Sequence, residues 1–239
     1  MTGDGPRAAV VGLIGLAATA EQVLLAAAVP ADSGSSQLWA ALPVVAHNTE
    51  FRRQQVQRLR AVRSGQAPPE FAEVDHRSAA LYAELSAQPA DAVARDSWRV
   101  AGELAEEMRL VSSQDLLEPA RNPWLRGRQL WLQVIVRGFW HPAGHLGEYY
   151  VRHGQPERAV ALAEHAVATA AYLAAPPPAR GMATYNLACA QAGAGLLDEA
   201  AEAVREAVAL NPDVRANARR DGDLTAVRDS GRLAALLGG

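Results

Sequence analysis

Histidines are the residues in this chain whose spacing most suggests chemistry. His141 and His145 stand four positions apart in the run His141-Pro-Ala-Gly-His145. On a helix that spacing puts two imidazoles on one face, with roughly 5 to 6 Å between β-carbons, close enough to chelate one ion. Two such ligands hold a metal weakly. A third from another helix would close a facial site and leave positions open for water and substrate, the pattern of catalytic rather than structural sites. His47 is the best third candidate, while His76, His153 and His165 stand in less favourable places. The bland alternative is that a His-x-x-x-His pair is two polar residues on a solvated helix. Glu50, three residues after His47, and Glu148, three after His145, lie on the same helical faces as the ligands. Either carboxylate fits a general base, and either fits an ordinary solvated acid. Arg137, one turn before His141, is a candidate clamp for an anionic substrate or cosubstrate, or else a partner for a neighbouring acid. Trp124, Trp131, Trp140, Tyr149 and Tyr150 gather near the pair in sequence and suit an apolar pocket for a drug-like ligand, although aromatics at helical spacing also build cores.

The elements that must position these residues read as helices throughout. Alanine, leucine, arginine and glutamate recur, valine and isoleucine never alternate, and the one Asp221-Gly222 is flanked by polar residues, so the expected fold is all-α. Helix one is expected from Arg7 to Val29, with Val11, Ile14, Ala18 and Leu25 along one side, followed by a Pro30-to-Ser36 loop. An apolar run after Arg7 that ends in Val29-Pro30-Ala31 also resembles a targeting signal. Glu21 and Gln22 interrupt it, and its removal would delete a helix, so the structural assignment is preferred. A second helix is expected from about Ala40, with Pro43 in its first turn, through His47 and Phe51 to Ser64-Gly65. Further helices are expected over Glu73 to Leu85 and from Pro89 through Met108. The irregular, aromatic stretch from Ser112 to Arg128 should pack over an opening, and helix four should run from Gln129 onward.

Past residue 144 the sequence repeats weakly. Leu146-Gly147, Tyr150, Gly154, Ala159, Ala163 and Ala166 recur as Leu187-Ala188, Gly195, Ala200, Val204 and Ala207, the small and aromatic positions of a tetratricopeptide-type helical hairpin. Ala159 and Ala200 stand 41 residues apart, and the excess over the usual repeat of about 34 residues is filled by Ala174 to Arg180. Leu146 also lies on helix four, so that helix should continue as the first repeat helix and weld the two parts together. Leu187, Leu210, Leu233 and Leu236 should cap the stack. The expected domains are thus 1–151 and 145–239.

Composition narrows the function classes. The net charge is −3 and the 23 cations, all arginine, are scattered, which speaks against nucleic-acid binding. Beyond helix one no stretch approaches the length of a membrane span. The single cysteine, Cys189, excludes an intrachain disulfide and a cysteine-rich zinc site and fits a reducing cytoplasm.

Trp39 eight residues before His47, the 94-residue gap to His141, and His145 after it together resemble the DinB/YfiT-like superfamily of metal-binding four-helix bundles. The run Asn122-Pro123-Trp124-Leu-Arg-Gly127-Arg-Gln-Leu130-Trp131 is similar to the aromatic approach of its ClbS/DfsB-like branch, the colibactin self-resistance type. The resemblance covers roughly residues 7 to 151. It implies a four-helix bundle, with three histidines on a divalent ion, zinc or nickel above all, and a low-molecular-weight thiol in the thiol-dependent members. It also implies activities such as thiol transfer, thiol-dependent isomerisation or cyclopropane-opening hydrolysis. Pro142 departs from the pattern. It removes the hydrogen bond to Gly138, so helix four should kink or start afresh there, which leaves His141 room to swing off the shared face. The expected function is a metalloenzyme acting on an electrophilic natural product, in detoxification or self-resistance. The alternatives are a sequestration protein whose repeats dock a protein partner, or a scaffold with a vestigial site. Self-association as a homodimer is left open.

Overall fold

The computed structural model describes residues 4–28, 35, 38–71 and 79–238. All regular structure among them is helical. The chain divides into two compact units, Met1–His145 and Leu146–Gly239. The expected Pro30-to-Ser36 loop, apart from Ser35, and His76 with the start of the helix expected at Glu73, lie outside the described residues.

In the first unit α1 (Asp4–Ala28) buries Val10, Leu13, Ile14, Ala17, Leu24 and Leu25, spaced three and four apart as a core-facing helix requires. By length and composition α1 is also apolar enough to cross a membrane, though half of that stretch is buried within the protein. Glu21 sits in the buried stripe and is fully buried, so it must be compensated from inside. α2 (Ala41–Arg63) has Pro43 in its first turn and ends in a Schellman turn at Gly65, whose φ is 67°. There Gln66 N–H donates to Ala61 O and Gly65 N–H to Val62 O. α3 (Ala79–Ser86) packs on α2, and α4 (Ala90–Leu110) packs on both α1 and α2. Glu107 of α4, itself nearly buried, takes Arg60 and Arg63 of α2 at 2.9 and 3.2 Å.

The stretch expected to be irregular folds as α5 (Ser113–Leu117) and two 3₁₀ turns, Pro119–Arg121 and Pro123–Leu125. Ser112 caps α5 through Asp115 N–H, and buried Asn122 donates to Asp115 O at 2.7 Å. Helix four does not run unbroken. α6 (Leu130–Ile135) passes into a π turn, Val136–Trp140, and then into α7 (His141–Arg152). The cause is local: Pro142 has no N–H for the Gly138 carbonyl, and a π turn is one way for a helical chain to absorb that loss.

The second unit contains α8 (Pro156–Tyr172), α9 (Pro177–Gly193) and α10 (Leu197–Leu210), followed by the short α11 (Val214–Ala218), α12 (Thr225–Asp229) and α13 (Ala234–Leu237). α9 packs against both α8 and α10. The stripe Ala159, Ala163, Ala166 and Ala170 on α8 is buried, as are Ala200, Val204 and Ala207 on α10. Helix ends before α8 and α10 have the same turn, with φ of 70° at Gly154 and 78° at Gly195, and six-to-one bonds from Gln155 to Tyr150 and Leu196 to Gln191. Ala174, at φ 46°, closes α8 in the same way without the freedom of glycine.

Candidate metal centre

His47 is presented by α2 in a stretch that is buried almost without interruption from Pro43 to Arg52, and the residue is 3% exposed. His141 opens α7 directly after the π turn, and His145 follows one turn later. The His141 and His145 Nε2 atoms are 3.0 Å apart. Ring centroids lie at 5.7 Å for His47 to His141 and 5.1 Å for His47 to His145. One nitrogen from each of the three falls within 4.8 Å of the others. Pro142 therefore does not carry His141 off the shared face.

Two imidazole nitrogens about 2.0 to 2.1 Å from one zinc ion stand about 2.9 Å apart at a right angle and about 3.3 Å apart in a tetrahedron. The 3.0 Å pair already lies in that window. The widest pair, within 4.8 Å, has at most about 1.5 Å to close (4.8 minus 3.3). The donor set is three imidazoles, with no carboxylate in the cluster among the described residues, and it fits zinc, nickel or a similar divalent ion.

Aromatic rings wall the cluster. Phe51 is edge-on to His47 at 4.7 Å and tilted against His141 at 4.5 Å, while Trp39 meets His47 edge-on at 5.3 Å. The Arg137 guanidinium lies over the Phe51 ring at 4.7 Å, one ring away from two of the histidines. Arg58 lies over Phe71 at 4.9 Å and Trp124 at 5.8 Å, and its pKa is pushed down by burial and then by the charge of Arg137. Trp140 is half-buried beside His141 in the chain.

An open cavity of about 680 Å³, part of it solvent, is lined by residues of α2, α3 and α4, among them His47, Glu50, Phe51, Glu84 and Asp96. Glu50 is half-exposed on its wall and accepts from Arg53 Nε at 3.0 Å. Arg53 also pairs with Asp96. Burial pulls Asp96 upward, but Arg99 and Arg53 together hold its carboxyl below the usual value. Glu148, in the second unit, pairs with Arg152 at 2.7 Å.

Tyr149 and Tyr150 also belong to the second unit, each nearly buried. Tyr149 stacks on His153 at 4.0 Å, and Arg158 lies over Tyr150, whose hydroxyl is shifted up by burial. Trp131 is 2% exposed and donates to Gln129. His165 is exposed on α8.

Two groupings escaped the sequence reading. The first is a buried polar network. Glu21 Oε2 accepts from Arg52 Nη1 and from Ser97 Oγ, both at 2.6 Å, and Glu21 Oε1 accepts from Asn48 Nδ2 at 3.0 Å. Arg52 Nε also donates to Gly138 O at 3.1 Å, and Asn48 Nδ2 to Pro142 O at 3.4 Å. Its only sequence signal is a charged residue in the middle of an apolar helix. The second grouping brings one ligand atom each of Cys189, Asp221 and Asp223 within 4.8 Å of one another. Asp221 is occupied there as a cap, accepting from Tyr185 Oη at 2.8 Å and from Asp223 N–H at 3.0 Å. Burial, and then the charge of Asp221, pushes the Cys189 thiol well up. In comparisons with known proteins, no family model, no curated protein and no solved structure matches the chain.

Proposed function

We propose that this chain is a metal-dependent enzyme of the DinB-like kind, in which His47, His141 and His145 hold a divalent ion, zinc or nickel, for attack on an electrophilic small molecule. In this reading α1, α2, α4 and the path from α6 to α7 are the four helices of the bundle, and the later helices are tetratricopeptide-like hairpins. The matching turns at Gly154 and Gly195 support the second part. The observation that carries the proposal is the convergence of three imidazole nitrogens within 4.8 Å from two separate helices. When bound, the ion supplies a lowered pKa to a coordinated water or thiol, which gives a nucleophile near neutral pH.

The chain's own residues divide the remaining tasks. Phe51 and Trp39 shield the imidazoles from bulk water, and Trp124 and Trp140 offer apolar surface to the substrate. Arg137, held on Phe51, receives an anionic group of the substrate or thiol. Glu50, on the wall of the cavity that His47 also lines, takes up a proton. The proposed role is detoxification or self-resistance in the cytoplasm. One observation favours a second reading, a drug-sequestering protein with a partner-docking repeat surface. Glu50 is tied to Arg53, and no carboxylate stands within the ligand cluster among the described residues.

Elemental analysis of the purified protein should find about one divalent metal per chain. Added zinc or nickel should raise the melting temperature of stripped protein, because binding at a thousandfold excess over Kd stabilises by about 4 kcal/mol. A metal-free protein that gains no stability from either ion would sink the proposal. Incubating the loaded protein with a simple epoxide, with and without a low-molecular-weight thiol, separates the two readings: product formation supports the enzyme, and binding without product supports sequestration.

A further inference from the structure

We infer that Arg52, aligned by Glu21, Ser97 and Asn48, is the positioning residue of the metal centre, clamping the π turn in the register that brings His141 and His145 to His47. The inference rests on the metal reading above and adds to it what holds the ligands in place.

Arg52 and Glu21 are both fully buried, and their ion pair at 2.6 Å sits among helices rather than at a surface. Glu21 accepts from Arg52 Nη1, Ser97 Oγ and Asn48 Nδ2, so Arg52 is tethered through Nη1 while its Nε donates to Gly138 O, 3.1 Å away. Gly138 is the residue whose carbonyl an α-helix would offer to position 142, where proline has no hydrogen to give. Arg52 thus supplies the donor that the sequence withholds. Asn48, the neighbour of His47, uses the same amide group to bond Glu21 Oε1 and Pro142 O. One network therefore touches the chain just before His141, just after His141, and just after His47.

The π turn inserts one residue relative to a regular helix, which rotates all that follows by about 100° about the axis. Without that insertion the two histidines of α7 would face elsewhere relative to α6. Gly138 makes room for the turn, because a β-carbon there would stand 3.0 Å from Ile14 Cγ1 and 3.1 Å from Leu104 Cδ2. A buried ion pair seldom stabilises a fold better than apolar residues of like volume. Apolar residues would fill the same space, but they cannot bond the Gly138 carbonyl, and that difference separates positioning from packing.

The test is the double substitution Glu21→Leu with Arg52→Met, which removes both charges together and so strands neither. Three quantities are read on the full chain: melting of the metal-free protein, zinc affinity by competition, and the visible spectrum after cobalt(II) loading. Positioning predicts metal-free melting close to wild type, zinc affinity 10- to 100-fold weaker, and altered cobalt bands. Arg52→Lys keeps the charge beside Glu21 but lacks the planar fork, so its affinity should fall between the two. If the double variant has no cooperative transition, Arg52→Lys takes over the comparison. Wild-type affinity and an unchanged cobalt spectrum in a folded variant would overturn the inference and leave the metal reading standing. A wild-type chain that binds neither zinc nor cobalt overturns the metal reading and the inference with it.

Discussion

His47 is held between the rings of Trp39 and Phe51 and is 3% exposed, a setting that suits a core histidine as well as a ligand. The two roles part on substitution. His47→Ala should retain cooperative unfolding of the metal-free protein at a cost of about 2 to 4 kcal/mol for the emptied space. It should also lose the stoichiometric metal and the melting-temperature gain on adding zinc. His153→Ala is the control, since that ring stacks on Tyr149 at 4.0 Å in the second unit and should leave metal content unchanged. Circular dichroism beside elemental analysis reads both variants. Full metal content in His47→Ala would show that the third ligand lies elsewhere, and loss of the cooperative transition would mark a core residue.

At the scale of elements, glycines show how packing reverses a helix propensity. Gly102 on α4 is exposed and a β-carbon there would meet nothing within 4 Å, so Gly102→Ala should stabilise by about 0.5 to 1 kcal/mol. Gly181 on α9 is buried, and its β-carbon would fall 2.7 Å from Asn211 Cβ, 3.0 Å from Ala207 O and 3.1 Å from Asn211 N. Two of those atoms are backbone and cannot rotate away. Gly181→Ala should therefore destabilise by about 1 to 3 kcal/mol despite the better helix former. Urea denaturation of both variants gives the signs, and a stabilised Gly181→Ala would mean that α9 and α10 do not approach as closely as described. The π turn belongs to the same scale: Pro142 leaves the Gly138 carbonyl without its helical donor, and Arg52 of α2 bonds that carbonyl at 3.1 Å.

For the whole molecule, the division at 145 and 146 falls inside α7, which runs from His141 to Arg152. The helix that carries two proposed ligands thus continues into the second unit. There Val151 fills the space beside Gly193 of α9, with Cγ2 2.7 Å from where a β-carbon would be. Ending the chain after Arg152 removes that neighbour and puts at risk the burial of Leu146, Tyr149 and Tyr150, each at most 6% exposed in the intact protein. At about 25 cal/mol per Å² the newly exposed apolar area should lower melting and favour aggregation. Size-exclusion chromatography and thermal melting of residues 1–152 check this. A soluble monomer with full-length melting temperature and metal content would make the two parts autonomous.

The helix end at Gly65 was legible because an αL glycine closes a helix through bonds within six residues, and neighbours in sequence carry that information, whereas Gly154 and Gly195, read as repeat positions, close their helices in the same way. The His141/His145 pair was legible for the same reason, as a spacing of one turn, and the all-helical class followed from composition and period. The sequence left helix four as one element with a doubtful proline, because the donors that satisfy its loosened carbonyls come from Arg52 and Asn48, 86 and 94 positions away. Glu21 read as an interruption of an apolar run, and its three bonding partners lie 27, 31 and 76 positions off. Gly102 and Gly181 look alike in sequence and differ only in what stands across from them. Local order is encoded in spacing along the chain, whereas the compensation of a buried charge and the space beside a glycine depend on groups that only packing brings together.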